Sequence, residues 1–165
     1  MAVVGVGVVA GVEVVAGVDL VVVVGVVGCV NTRLIVGIDP GVTTGVCLVA
    51  NGPEDLKILR KDQIVSIPCL MQALQGMDWP RLVVMEDYLG AGHRHKAAVH
   101  TIQVIGAVKG WAAIHDVPVE MQPPQWRKPF VTEARILLKS KHSGRHAADA
   151  LAHILGYIYR EKRDL

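Results

Sequence analysis

The chain has 165 residues, 17 Lys+Arg against 15 Asp+Glu, 7 His and a formal charge of +2. That length suits one domain, or one domain with a tail. Apolar residues make up 52%, enough for a core, and with Phe 1, Tyr 3 and Trp 3 that core must be aliphatic. Cys29, Cys47 and Cys69 form no CxxC pair, which argues against a disulfide framework or a zinc ribbon and fits a reducing compartment.

The first thirty residues stand apart. They hold 16 Val and 6 Gly, no Lys or Arg, and only Glu13 and Asp19 as charges. A signal peptide needs a basic leading region, and a membrane span needs ~20 apolar residues with few charges. Val and Gly are also weak helix formers, and so much Gly weakens a strand. Residues 1–31 therefore read first as a low-complexity extension with no chemistry, ahead of a folded unit at 32–165, with a membrane-associated segment or a strand as the alternatives. All basic residues lie from Arg33 onward, 17 against 13 acids, a net +4 that permits a polyanionic partner.

Arg33–Asp39 is a short apolar run closed by an acid, as expected of a buried strand, and Pro40-Gly41 stops it. Thr43–Val49 restarts as a second strand, predicting a hairpin. After the turn at Asn51-Gly52-Pro53, Leu56–Val65 supplies a third, more polar strand. Pro68–Met77 suits a short helix. Arg81–Glu86 repeats the first pattern, an apolar run ending in an acid. From about Gly92 to His115, Ala98, Ile102, Ile105, Val108 (or Lys109) and Ala112 recur at helical steps. Val117–Met121 is a further strand, and Pro123-Pro124 breaks the chain. A short helix follows Thr132 as N-cap, and Ser143 or Gly144 opens a last helix running to about Arg160. The order β-β-β-α-β-α-β-α-α predicts a mixed α/β fold.

Asp39 and Glu86 each end a run that belongs inside a sheet, where a carboxylate is costly unless paired or bound to metal. Proline after Asp39 keeps that residue extended. If the two strands are parallel neighbours, both acids emerge at the same sheet end, where α/β folds place ligands. Strand side chains alternate faces, so of Glu86 and Asp87 one faces the site; Glu86, closing the apolar run, is the expected one. On the last helix His146 and Asp149 stand at i and i+3 on one face, with two alanines between. His142 and His153 extend that stripe. Asp39, Glu86, His146 and Asp149 form a set of oxygen ligands with one nitrogen, suited to Mg²⁺ or Mn²⁺. Two such ions ~4 Å apart are the usual device for hydrolysing a phosphodiester.

Four stretches resemble the RuvC-type Holliday junction resolvases of the ribonuclease H-like superfamily: IVGIDPGVTTG (35–45), LVVMED (82–87), IGAVKG (105–110) and HAADALAHILG (146–156). The resemblance implies a ribonuclease H-like mixed five-stranded sheet flanked by helices. It implies a crossover junction endodeoxyribonuclease with Asp39, Glu86, His146 and Asp149 as catalytic and metal-binding residues, two Mg²⁺ (or Mn²⁺) ions and no small-molecule cofactor. It further implies a branched-DNA partner, a homodimer and a cytoplasmic, bacterial or phage-encoded protein; a membrane partner is not expected, with attachment through the Val-rich segment as a further possibility. Basic residues near the expected site, Arg94, Lys96, Arg127, Lys128, Lys139, Lys141 and Arg145, together with Trp126, are the candidates for holding nucleic acid. Arg160, Lys162 and Arg163 read as a solvated tail. The alternatives are a related nuclease acting on RNA or other DNA structures, and a junction-binding protein that does not cleave.

Overall fold

The structure, a computed structural model, describes residues 32–52, 55–77, 80–87, 96–139 and 144–163, with Lys96 and Ala97 described by backbone alone. The Val/Gly-rich extension lies outside these residues.

Strand β1 (Arg33–Asp39) turns through Pro40–Thr43 into antiparallel β2 (Thr44–Asn51), which pairs antiparallel with β3 (Leu56–Ile64). Helix α1 (Ile67–Gln75) follows. Ser66 is its extended N-cap, accepting from the Cys69 N–H, with Pro68 in the first turn where its missing donor does no harm. Strand β4 (Leu82–Glu86) pairs parallel with β1, helix α2 (Lys96–Ile114) crosses over, and β5 (Val119–Gln122) pairs parallel with β4. Two 3₁₀ turns (Pro124–Trp126 and Lys128–Phe130) lead into α3 (Val131–Leu137), and α4 (Arg145–Arg163) closes the fold. The five strands lie in the order β3-β2-β1-β4-β5, a mixed five-stranded sheet flanked by helices, as the resemblance implies.

One expectation needs correction. Thr132 is not an N-cap: α3 begins at Val131, with Phe130 in the cap position and no side-chain cap bond. The preceding 3₁₀ turn, closed by Phe130 N–H donating to Arg127 O at 2.9 Å, winds straight into the helix. Its first amides therefore need no cap from a side chain.

The core has two layers. Val36, Ile38, Val46, Leu48, Val83 and Met85 pack against α1 and α2 on one sheet face. Ile35, Cys47, Val49, Leu82 and Val84 pack against the alanine-rich inner side of α4 on the other. Side chains alternate along each strand, so the parity of Ile35 and Gly37 also turns Asp39 toward α4. The parity of Leu82 and Val84 does the same for Glu86.

Helix α4 lies unusually close to the sheet because two glycines allow it. A Cβ at Gly45 would stand 1.9 Å from the His146 carbonyl oxygen, and one at Gly37 would stand 2.3 Å from that of Ala150. Ala147, Ala148, Ala150 and Ala152, all buried, complete the contact from the helix side. Gly45 pairs with Asp39 across the hairpin, so the closest helix–sheet contact sits beside the first acid.

Replacing Gly45 by alanine is expected to force α4 off the sheet. Overpacking of this kind costs ~1–3 kcal/mol. Urea unfolding should show a lower midpoint with an unchanged slope.

Candidate metal and nucleic-acid site

Three elements converge at the carboxyl end of the parallel strands. Asp39 ends β1 and is buried. Glu86 ends β4 on the neighbouring parallel strand, one residue beyond the Ile38–Met85 pair. The first two turns of α4 carry His146 and Asp149 over both. His146 Nδ1 lies 2.9 Å from Asp39 Oδ2. Of the four residues expected to form the site, all four meet here.

Ligand atoms of Asp39, His146 and Asp149 lie within 4.8 Å of one another, and so do those of Asp39, Glu86 and His153. By distance alone each trio could meet a single ion, and Asp39 belongs to both. Their donors, carboxylate oxygens with imidazole nitrogen, suit a hard divalent cation.

Arg127 enters the same cluster from between the two 3₁₀ turns. Its Nε donates to Glu86 Oε2 at 2.7 Å, and its Nη1 stands 3.1 Å from Asp149 Oδ1. Expected as a surface phosphate contact, Arg127 is instead half-buried and paired with two of the acids. Behind Glu86, fully buried His153 places Nε2 at 3.1 Å from the same Oε2.

These contacts pull the acids in opposite directions. Burial pushes the Asp39 carboxyl above its ordinary range, and the neighbouring Asp149 and Glu86 charges push the same way against the His146 hydrogen bond and the Arg127 charge. Burial also acts on Glu86, but hydrogen bonds from His153 and Arg127, with the Arg127 charge, hold it below the usual carboxylate range. Arg127 is held above its already high value, burial being outweighed by its bond to Glu86 and the charges of Glu86, Asp149 and Asp39. Asp39 is thus the acid that ionises against its surroundings.

The remaining candidates divide. Lys128, Lys139 and Arg145 are exposed, Lys139 with a positive φ of 47° just past α3 and Arg145 at the start of α4. Trp126 has one ring face covered by the Arg160 guanidinium, 3.7 Å from the ring centroid. Lys96 begins α2; its side chain, Arg94, Lys141 and His142 lie outside the described residues. Arg160 is not part of a solvated tail. Besides stacking on Trp126 it donates to Glu120 at 3.0 Å, because α4 continues to Arg163 and carries this side chain back over β5.

Sequence reasoning noted His153 in the α4 stripe without placing it in the site, and missed Gln122. Each carried a signal: His153 is four residues beyond Asp149 on the same helical face, and Gln122 is the polar end of the last strand.

No family model and no curated protein matches the sequence. Solved structures do match by fold. Thermus thermophilus RuvC in complex with a Holliday junction substrate superposes with a TM-score of 0.64 at 21% identity, covering 79% of this chain and 96% of that one. Another Thermus thermophilus RuvC structure gives 0.61 at 22% identity, over 80% and 97%. The yeast mitochondrial Holliday junction resolvase gives 0.56 at 10% identity, over 80% of each.

Since Asp39 is buried with its pKa raised, its ionised form costs stability as pH rises through that pKa, and the benefit of the neutral form is confined to lower pH. Asp39→Asn should therefore raise the melting temperature of the metal-free protein at neutral pH while removing stabilisation by added Mn²⁺. If the wild type binds the ion, the expected stabilisation is ~2.7 kcal/mol at a free-ion concentration about 100 times Kd. Calorimetry with and without Mn²⁺ checks both halves.

The parallel β1–β4–β5 core, the antiparallel β1–β2–β3 meander and the closing helix give this chain the ribonuclease H-like fold of RuvC.

Proposed function

We propose that the chain is a metal-dependent endonuclease that hydrolyses phosphodiester bonds in branched DNA, resolving four-way junctions during recombination and repair. The observation that carries this reading is the pair of ligand groups sharing Asp39. A lone buried acid would be a liability; two adjoining sets around one shared carboxylate suit a pair of divalent ions, Mg²⁺ or Mn²⁺. Asp39, His146 and Asp149 would hold one ion, and Asp39 with Glu86 the other. Bound there, such ions would activate a water and stabilise the leaving oxygen.

The chain's own residues supply the rest. His146 has its Nδ1 against Asp39, fixing the ring's orientation. Arg127 neutralises Glu86 and Asp149 in the free protein, and its planar fork can exchange a carboxylate for a phosphate. Exposed Lys128 and Arg145, next in sequence to Arg127 and His146, and exposed Lys139, with Arg94, Lys96, Lys141 and Trp126, would grip the backbone without reading sequence.

A four-way junction offers two equivalent strands, which a two-fold dimer would match. The exposed side of α2 supports this partner. A Cβ at Gly106 or Gly110 meets nothing within 4 Å among the described residues, and Val99, Ile102 and Ile114 are 57%, 56% and 81% exposed. Gly106→Arg is then expected to yield a monomer in sedimentation that binds a junction but no longer nicks it symmetrically.

One observation favours a second reading. Arg127 already supplies a cation inside the acid cluster, as a junction-binding protein that does not cleave would need. One experiment separates the readings: incubation with a synthetic four-way junction, a duplex, a flap and an RNA–DNA hybrid, with and without Mg²⁺. Symmetric nicking of the junction is expected in Mg²⁺ only. Asp39→Asn, Glu86→Gln and Asp149→Asn should each lose at least ~100-fold in rate, in line with removal of a transition-state electrostatic group, while binding of the junction persists. Full activity in all three variants would sink the nuclease reading, and preferential cutting of the hybrid would move the substrate to RNA.

A further inference from the structure

Glu86 is held from behind by a buried chain of side chains that reaches the far end of α4. Gln122 and His153 are both fully buried, one at the end of β5 and the other on the inner face of α4. The Gln122 amide has three neighbours: His153 Nδ1, the His153 carbonyl oxygen and Arg160 Nη2, each at 3.2 Å. Arg160 can only donate and the carbonyl can only accept. One orientation of the amide therefore satisfies all three contacts, with its nitrogen donating to His153 Nδ1 and to the His153 carbonyl while its oxygen accepts from Arg160. The opposite orientation sets oxygen against the carbonyl oxygen and nitrogen against the guanidinium, leaving buried groups unpaired at ~1–3 kcal/mol each.

That orientation decides the chemistry of the imidazole. A ring nitrogen that accepts from an amide carries no proton, so the proton of neutral His153 must sit on Nε2. Nε2 faces Glu86 Oε2 at 3.1 Å. A nitrogen that donates there has no lone pair left for an ion. By distance His153 qualifies as a ligand with Asp39 and Glu86; by hydrogen bonding it does not.

We propose that His153 is a positioning residue, its tautomer fixed by Gln122, which donates from Nε2 to Glu86 and fixes that carboxylate beside Asp39 instead of binding metal itself. The role deepens the nuclease reading and rests on it for its catalytic consequence, but the tautomer does not. Arg160 anchors the far end of the chain: it stacks on Trp126 at 3.7 Å and donates to Glu120 at 3.0 Å, so Gln122 is offered a donor in a fixed place. With Arg127 Nε as the second donor to Oε2 at 2.7 Å, one oxygen of Glu86 is committed to the protein. The other, Oε1, is the oxygen left for a cation. Carboxylates held in this way by outer partners lose ~10–100-fold in activity or metal affinity when the partner is removed.

The test begins with the metal-free wild-type protein labelled with ¹⁵N at histidine, its His153 signals identified by their loss in His153→Gln. Long-range ¹⁵N–¹H correlation at neutral pH should show a neutral ring protonated on Nε2. A ring protonated on Nδ1, or on both nitrogens, overturns the proposal whatever the protein cleaves. Gln122→Glu, which puts an acceptor opposite Nδ1 in place of the donor, should place a proton on that nitrogen; an Nδ1 still without a proton would show that Gln122 does not set the tautomer. Junction nicking then reads the consequence. His153→Leu should lower kcat by ~10–100-fold with KM unchanged. His153→Gln, whose amide nitrogen can reach Glu86, should recover most of the loss, and equal loss in both folded variants would overturn the donor role. Should the wild type cleave nothing, Mn²⁺ affinity by calorimetry takes the place of kcat. A weakening of ~10–100-fold in His153→Leu supports the positioning role, and unchanged affinity overturns it.

Discussion

The close seating of α4 on the β1–β2 hairpin is the constraint on which the site depends. Two carboxylates on adjacent parallel strands are a common feature of α/β sheets; bringing a third carboxylate and two imidazoles over them is not. A helix on a sheet normally stands off by the thickness of its side chains. Here Gly37 and Gly45 remove that thickness from below, and Ala147, Ala148, Ala150 and Ala152 remove it from above. The helix backbone then comes within reach of the strand tips, and short side chains such as Asp149 suffice to join Asp39. The same approach buries the acids, which is why Asp39 ionises reluctantly. Packing and electrostatics at this site are therefore one problem.

Charge balance follows from that burial. Asp39, Glu86 and Asp149 crowd one end of the sheet, and the free protein answers with the Arg127 charge and with close contacts from two imidazoles. Each partner engages a different subset: Arg127 spans Glu86 and Asp149, His146 meets Asp39, and His153 backs Glu86. Glu86 alone of the three has two direct partners among the described contacts, so a cation or a phosphate that displaces Arg127 leaves Glu86 held by His153.

Much of this was legible in the sequence, and the part that was not has identifiable causes. The runs Leu34–Ile38 and Leu82–Met85, each closed by an acid, announce buried strands because burial on both faces demands continuous apolar residues. His146 and Asp149 show themselves as partners through helical spacing. Arg127 was visible only as one charge among several, since the segment around Pro123-Pro124 has no periodicity from which a side chain's direction follows. Gln122 and His153 are linked across 31 residues by a packing that local pattern does not encode. Arg160 looked like a tail residue because basic residues at a helix end ordinarily serve the dipole and solvent; its stacking on Trp126 depends on where β5 lies. Thr132 has the chemistry of a cap but not the place of one, because a 3₁₀ turn had already started the winding.

The shared parity of Asp39, Glu86 and Gln122 has a consequence for how this chain can vary. All three point toward α4 because each keeps step with the strand beneath it. Gain or loss of a single residue within β1, β4 or β5 would rotate every following side chain to the opposite layer, exchanging Glu86 for Asp87 and sending an acid into the aliphatic packing against α1 and α2. Insertions in the turn between β2 and β3, by contrast, leave the bookkeeping of faces intact. Length variation among natural versions of this fold should accordingly gather in that turn, and these three strands should tolerate exchanges of residue but not changes of count.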